Sequence, residues 1–191
     1  MTHPIQAPNT PSPAPRRHFL AQGLQLSAAA VALLGGRHAL AARQPSDVAA
    51  DVAILNSALA AEHQAIAAYQ AGAESGLLRA ATRDLALSFQ GHHKAHAALL
   101  DKTVGQFGGT PAAPLARYAF PLDTLRAEAD VLRFAAGLER DAVSAYLAAV
   151  PRFGNRDLAG AAASILGDEA MHWAVLRQAL GEPPVPAAFV G

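Results

Sequence analysis

The sequence predicts an all-α fold, a four-helix bundle made of two antiparallel hairpins joined by one long crossover. Three observations carry that expectation. Four stretches place apolar residues at helical spacing, the Gly/Pro breaks between them alternate short, long, short, and an internal repeat pairs the first stretch with the third and the second with the fourth. The composition agrees: 52% hydrophobic but only 6% aromatic residues suits closely packed, Ala-rich helices, and 191 residues suffice for one such domain plus a terminal appendage.

The appendage comes first. The chain is Pro-rich up to Pro15, then Arg16, Arg17, His18, Phe19 and Leu20 open an apolar run to Leu34, followed by Ala39, Leu40 and Ala41. A basic region, an apolar region and an Ala-x-Ala site in that order predict a cleaved export signal over residues 1–41. The adjacent arginines resemble the twin-arginine signal, with Pro15 where that signal has Ser or Thr, and plain secretion is the alternative route. Either route predicts a periplasmic or secreted protein. Cleavage removes Arg16, Arg17 and Arg37 and no acid, so 15 basic and 15 acidic residues become 12 and 15, a net charge of −3. No nucleic-acid partner is expected of such a balance. The run from Phe19 to Leu34 carries Gln22 and Gln25 and falls short of the ~20 apolar residues of a span, so no stable membrane insertion is expected after cleavage. Cysteine is absent, which leaves His, Asp and Glu as the only strong metal ligands.

The bundle is expected over residues 42–181. Its first helix starts at Ser46 as N-cap, repeats Val52, Leu55, Leu59, Ile66 and Tyr69 at helical spacing, and stops at Gly76. The second runs from Leu77 to Phe107 and ends at Gly108-Gly109-Thr110-Pro111. The third spans about Asp123 to Val150, closed by Pro151 and Gly154. The fourth spans about Asn155 to Leu180, closed by Gly181, with a Pro-rich tail over 182–191. The first and third links are short and make hairpins, whereas the middle one, Gly108 to Leu122, has 15 residues. Extended, it reaches ~50 Å, and a 30-residue helix is ~45 Å long, so it can run the length of the bundle and set the third helix parallel to the second. An up-down-up-down bundle is the alternative topology.

The repeat locates the chemistry. Glu62 and Tyr69 in the first helix recur as Glu139 and Tyr146 in the third, each pair two turns apart on one face. His93 and His96 in the second helix align with Glu169 and His172 in the fourth. Gly76 and Leu77 lie midway between Glu62 and His93, and Gly154 lies midway between Glu139 and Glu169, so folding at those breaks brings all six side chains to one depth.

Glu169-x-x-His172 sets a carboxylate and an imidazole one turn apart, and together with Glu62, Glu139 and the repeat it resembles the ferritin-like metalloprotein superfamily. In that family, one Glu from each of two helices and an ExxH from each of the other two hold a pair of iron or manganese ions. The resemblance covers about Ser46 to Leu180 and implies ligand roles for Glu62, His96, Glu139, Glu169 and His172. His93 stands where both the repeat and the family call for Glu. An imidazole has one lone pair and no charge, so three carboxylates face the metal where the family has four, and a single ion or zinc competes with an iron or manganese pair. His63 and His92 fall off the converging face by helical angle and are expected at the surface. Which of His92 and His93 faces inward depends on the helix register. Tyr69 and Tyr146 are expected in the core, with hydroxyls free to bond a ligand Glu.

Two functions follow from the resemblance. One is a secreted, ferritin-like, metal-binding protein with iron/oxygen or peroxide chemistry at the bundle centre. The other is a non-catalytic ferritin-like bundle whose degraded metal site leaves it a binding or structural role at the cell envelope. Oligomerisation is compatible with both.

Overall fold

The computed structural model describes residues 45–190 and, among them, four long helices and no strand. Residues 1–44, with the predicted signal, lie outside the described residues. The helices are α1 (Pro45–Glu74), α2 (Ala80–Gln106), α3 (Glu128–Ala149) and α4 (Arg156–Ala179), with short 3-10 turns at Leu122–Thr124 and Val150–Arg152. None of the described helices is long and apolar enough to cross a membrane.

Two apolar clusters fix the directions. One joins Leu55 and Leu59 from early α1 with Leu100 and Val104 from late α2, Tyr146 from late α3 and Leu158 from early α4. The other joins Tyr69 from late α1 with Phe89 from early α2, Leu132 from early α3 and Leu176 from late α4. Each cluster is one pole of the bundle, so α1 and α4 run one way while α2 and α3 run the other. The connection over 107–127 therefore travels from pole to pole. That is the expected long crossover, and it excludes the up-down-up-down alternative.

The ends of the helices show local chemistry that periodicity misses. α1 begins at Pro45, not after a Ser46 cap, because a proline at the first helical position brings a suitable φ and lacks only an N–H that had no partner. α2 starts at Ala80, three residues later than periodicity suggests, with Arg79 held extended before it. α3 starts at Glu128 instead of Asp123: the Asp130 carboxylate accepts the N–H groups of Arg126 and Ala127, both at 3.0 Å, and ties off the helix there. The crossover is longer than expected for that reason. At α4, the Asn155 side chain accepts the Asp157 N–H at 2.9 Å, an ordinary N-cap.

Three long-range ties hold the loops to α1. The buried Asp51 carboxylate accepts the N–H groups of Gly154 at 2.8 Å and Asn155 at 3.0 Å, which pins the α3–α4 turn. Asn56 donates to the Thr110 carbonyl at 3.0 Å and accepts the Ala112 N–H at 2.7 Å, and His63 Nε2 donates to the Ala112 carbonyl at 3.1 Å. His63 is thus a half-buried anchor of the crossover and not the free surface residue that its helical angle suggests. Gly109 lies so close to α1 that a Cβ there would stand 2.5 Å from Val52 Cγ1, which requires glycine at this point of the crossover.

Candidate metal centre

Between the two apolar poles lies a layer of acids and bases. Glu62 on α1, His93 and His96 on α2, Glu139 on α3, and Glu169 and His172 on α4 meet there, and all but His96 are buried at 3% exposure or less. The spacing seen in the sequence produces this convergence, because both hairpins fold where the glycine breaks lie. All six side chains named from the sequence are brought together. His93 is the inward residue of the adjacent pair: its Nδ1 lies 2.8 Å from Glu62 Oε2 and its Nε2 3.3 Å from Glu139 Oε1.

The layer has the twofold character of the repeat. Tyr69 of α1 donates its hydroxyl to Glu139 Oε1 of α3, and Tyr146 of α3 donates to Glu62 Oε1 of α1 at 2.6 Å. His96 Nδ1 stands 3.1 Å from Glu169 Oε1 and 3.6 Å from Glu62 Oε1, and His172 Nδ1 stands 3.3 Å from Glu169 Oε2 and 3.6 Å from Glu139 Oε1. Glu169 thus presents one oxygen to each half. Ligand atoms of Glu62, His93, His96 and Glu169 lie within 4.8 Å of one another, as do those of His93, Glu139, Glu169 and His172. Each set is the size of a shell around one cation.

Among the described residues, no Arg or Lys pairs with these carboxylates, so the bland account of a buried Glu held by Arg does not apply. Five buried atoms make no hydrogen bond: His96 Nδ1, Glu139 Oε2, both oxygens of Glu169, and His172 Nδ1. Several lie within ion-pair distance of one another, as the distances above show, yet off hydrogen-bonding angle. A buried polar atom left in that state costs about 1–3 kcal/mol. Nitrogen and carboxylate donors aimed at a common point, without thiolate, match the preferences of iron, manganese or zinc, so the residues fit a divalent metal.

Without a metal the layer neutralises itself with protons. For each of the three imidazoles burial is the strongest single influence and favours the neutral ring, but the carboxylates packed against it together outweigh burial. Glu139 and Glu62 hold His93 at a pKa of about 10, Asp168, Glu169 and Glu62 raise His96 to about 11, and Glu139 and Glu169 raise His172 to about 9. Glu62, against the burial that would raise it, is drawn down to about 2 by His93 and His96. Glu139 is likewise held below the usual carboxylate range by His172 and His93, while burial pushes Glu169 up. Burial and the adjacent charges of Glu139 and Glu62 keep Tyr69 and Tyr146 protonated.

Sequence reasoning missed Asp168. Its Oδ2 lies 3.3 Å from the outer nitrogen of both His96 and His172, the position from which a carboxylate fixes the ring orientation of a ligand histidine. The available signal was the Asp-Glu pair at 168 and 169, of which only Glu169 falls in the repeat. Phe89 stacks on the His172 ring at 4.0 Å between centroids and holds it from the other side. On the α1/α3 side, a groove of about 680 Å³ passes between Ala58, Ala61, Ala142 and Ala145 and reaches Glu62, His93, Glu139 and Glu169.

Comparisons with known proteins agree with this arrangement. A family model described as a ferritin-like domain matches residues 50–182. Among solved structures, a conserved hypothetical protein from Mycobacterium tuberculosis is 27% identical, with a TM-score of 0.65 over 75% of this chain and 99% of that one. One of the ferritin-like, diiron-carboxylate proteins from Bacillus anthracis str. Ames is 22% identical, with a TM-score of 0.61 over 70% of this chain and 97% of that one, a likeness of fold. No curated protein matches the chain.

The protonated layer sets a pH signature for the metal-free protein. Three imidazoles with folded pKa values of about 9 to 11, against an unfolded value of 6.5, contribute stability that is complete below pH 6.5 and lost as pH rises through 9 to 11. Glu62, depressed to about 2, contributes stability that is complete above pH 4.5 and lost as pH falls toward 2. Urea unfolding of chelated protein should therefore show greatest stability between pH 4.5 and 6.5 and a decline from pH 6.5 to 9, at up to about 1.4 kcal/mol per pH unit for one imidazole. A flat or rising profile from pH 6.5 to 9 would mean that the imidazoles are neutral in the metal-free protein.

Proposed function

The chain belongs to the ferritin-like domain family, and on that premise we propose that it is an exported metal-binding protein whose buried Glu/His layer holds divalent cations for iron/oxygen or peroxide chemistry. The observation that carries the reading is the set of five buried donor atoms without hydrogen bonds in a layer where, among the described residues, no Arg or Lys pairs with a carboxylate. Glu62, His96 and Glu169 form one ligand group and Glu139, His172 and Glu169 the other. Glu169, with one oxygen toward His96 and the other toward His172, would serve both. His93 has one lone pair and would serve one group at a time, so one cation would be held firmly and a second less so.

When bound, iron or manganese supplies one-electron redox steps toward dioxygen or peroxide. The protein's own residues do the rest. Tyr69 and Tyr146 tie down one oxygen each of Glu139 and Glu62. Asp168 holds His96 and His172 by their outer nitrogens, and the α1/α3 groove, lined mostly by alanines with Ser57, Gln64, Asp141 and Arg152 among them, gives a small reactant a way to the layer.

One observation favours the second reading, a structural bundle without metal. His93, protonated at neutral pH, lies between Glu62 and Glu139 and links the two hairpins as a cation would. In that reading a proton has replaced the metal, and the site serves the fold alone.

Elemental analysis of the mature protein, purified after its own export, separates the two. The metal reading expects at least one equivalent of iron, manganese or zinc per chain. It further expects His93→Glu to move the content toward two equivalents and the preference toward iron or manganese, since a fourth carboxylate adds charge and a bridging oxygen pair. Metal-free protein that takes up none of the three ions supports the structural reading instead. Export by the twin-arginine route rests on Arg16 and Arg17 ahead of the apolar run. Changing both to lysine should leave uncleaved precursor inside the cell; undiminished export of that variant assigns the protein to plain secretion.

A further inference from the structure

On the α2/α4 side of the layer, opposite the groove, a second constellation faces solvent. Asp168 Oδ2 lies 3.2 Å from His92 Nδ1 and 3.3 Å from His172 Nε2, and those two nitrogens are 2.8 Å apart. Ligand atoms of His92, Asp168 and His172 all lie within 4.8 Å of one another. Side-chain exposure falls from 47% at His92 to 23% at Asp168 and 2% at His172, so the three form a path from water into the core. Two ring nitrogens 2.8 Å apart share one proton, so at least one lone pair is directed at the other ring, beside a carboxylate oxygen. Two imidazoles and a carboxylate are a donor set for a borderline divalent cation.

The His172 ring connects this outer set to the inner layer. Its Nδ1 faces Glu139 and Glu169, and its Nε2 faces His92 and Asp168. A neutral ring has one lone pair and can hold a cation on one side only. The opposite groove is lined mostly by small apolar residues, and its one carboxylate outside the layer, Asp141, is paired with Arg140 at 3.0 Å.

We propose that His92, Asp168 and the outward nitrogen of His172 form an entry site that takes a divalent cation from solvent and hands it to the inner layer. The proposal rests on the reading of the inner layer as a metal site. In the entry state the ring proton of His172 sits on Nδ1, and Nε2, the Asp168 carboxylate and His92 Nδ1 hold the cation. Once the cation has moved inward, Nδ1 offers the lone pair, the proton sits on Nε2, and Asp168 accepts it. The ring carries one proton before and after. Asp168 changes from ligand to positioning residue, and His92 is free for the next cation.

The test uses the mature chain, stripped by chelation and mixed with limiting zinc ion, its uptake followed against a colorimetric chelator. His92→Ala should take up zinc at least tenfold more slowly than wild type and reach the same final content. His92→Asp, which restores a ligand at the rim, should recover most of the rate. Equal rates for wild type and His92→Ala overturn the entry site while leaving the inner site standing. A lower final content in His92→Ala also overturns it, by making His92 a ligand of the inner layer. Absence of zinc uptake by wild type removes the inner reading, and the entry site with it.

Discussion

Six acids and bases in one layer of a bundle, five of them buried and, among the described residues, without an Arg or Lys to pair with them, set the constraint under which the rest of the fold is arranged. Each side chain is costly to bury alone, and each is tolerable only because the others stand within a few ångströms. The two apolar clusters above and below set the depth of the layer. The turns after α1 and α3 fall where they must for Glu62 to meet His93 and for Glu139 to meet Glu169. Cations, or protons in their place, are the remaining condition for a stable layer, which couples the charge state of the site to the stability of the bundle.

The arrangement follows a duplicated hairpin. Each half gives a Glu on its first helix and a ring nitrogen on its second, and each half's tyrosine bonds the other half's Glu, so the hydrogen bonds that orient the ligands also join the hairpins. Symmetry breaks at the His93/Glu169 pair. Glu169 presents two oxygens to two ligand groups, whereas His93 presents single nitrogens to Glu62 and Glu139. A repeat with Glu at both positions would be a symmetric, carboxylate-rich site. With His93 it carries less negative charge and a group that can be either cation or ligand. The surroundings are asymmetric as well: a wide, mostly alanine-lined groove on the α1/α3 side and His92 and Asp168 at the rim of the other.

Much of this was legible in the sequence because it depends on spacing. Helical periodicity and two midpoints give the depth of Glu62, His93, Glu139 and Glu169, and the length of the middle link permits the pole-to-pole crossover. The start of α3 was not legible, since Asp130 caps it by reaching back to Arg126 and Ala127 against a favourable periodic pattern. Asp51 was hidden for another reason. Its partners, Gly154 and Asn155, are 103 and 104 residues away, and a tie across that distance leaves no local pattern. His92 and Asp168 lie one residue before His93 and Glu169, about 100° round the helix from the converging face, where angle alone assigns them to solvent. They are at the rim because two such positions on neighbouring helices lean toward one another, a property of packing between α2 and α4 that neither helix carries by itself.

Anomalous diffraction from crystals of the bundle over residues 42–191, grown with iron and measured at the iron edge, tests the central claim most directly. The account predicts a peak bounded by Glu62, His96 and Glu169 or by Glu139, His172 and Glu169, with both filled in His93→Glu. A layer without a peak, with the His93 ring still between Glu62 and Glu139 in crystals saturated with iron, would contradict it.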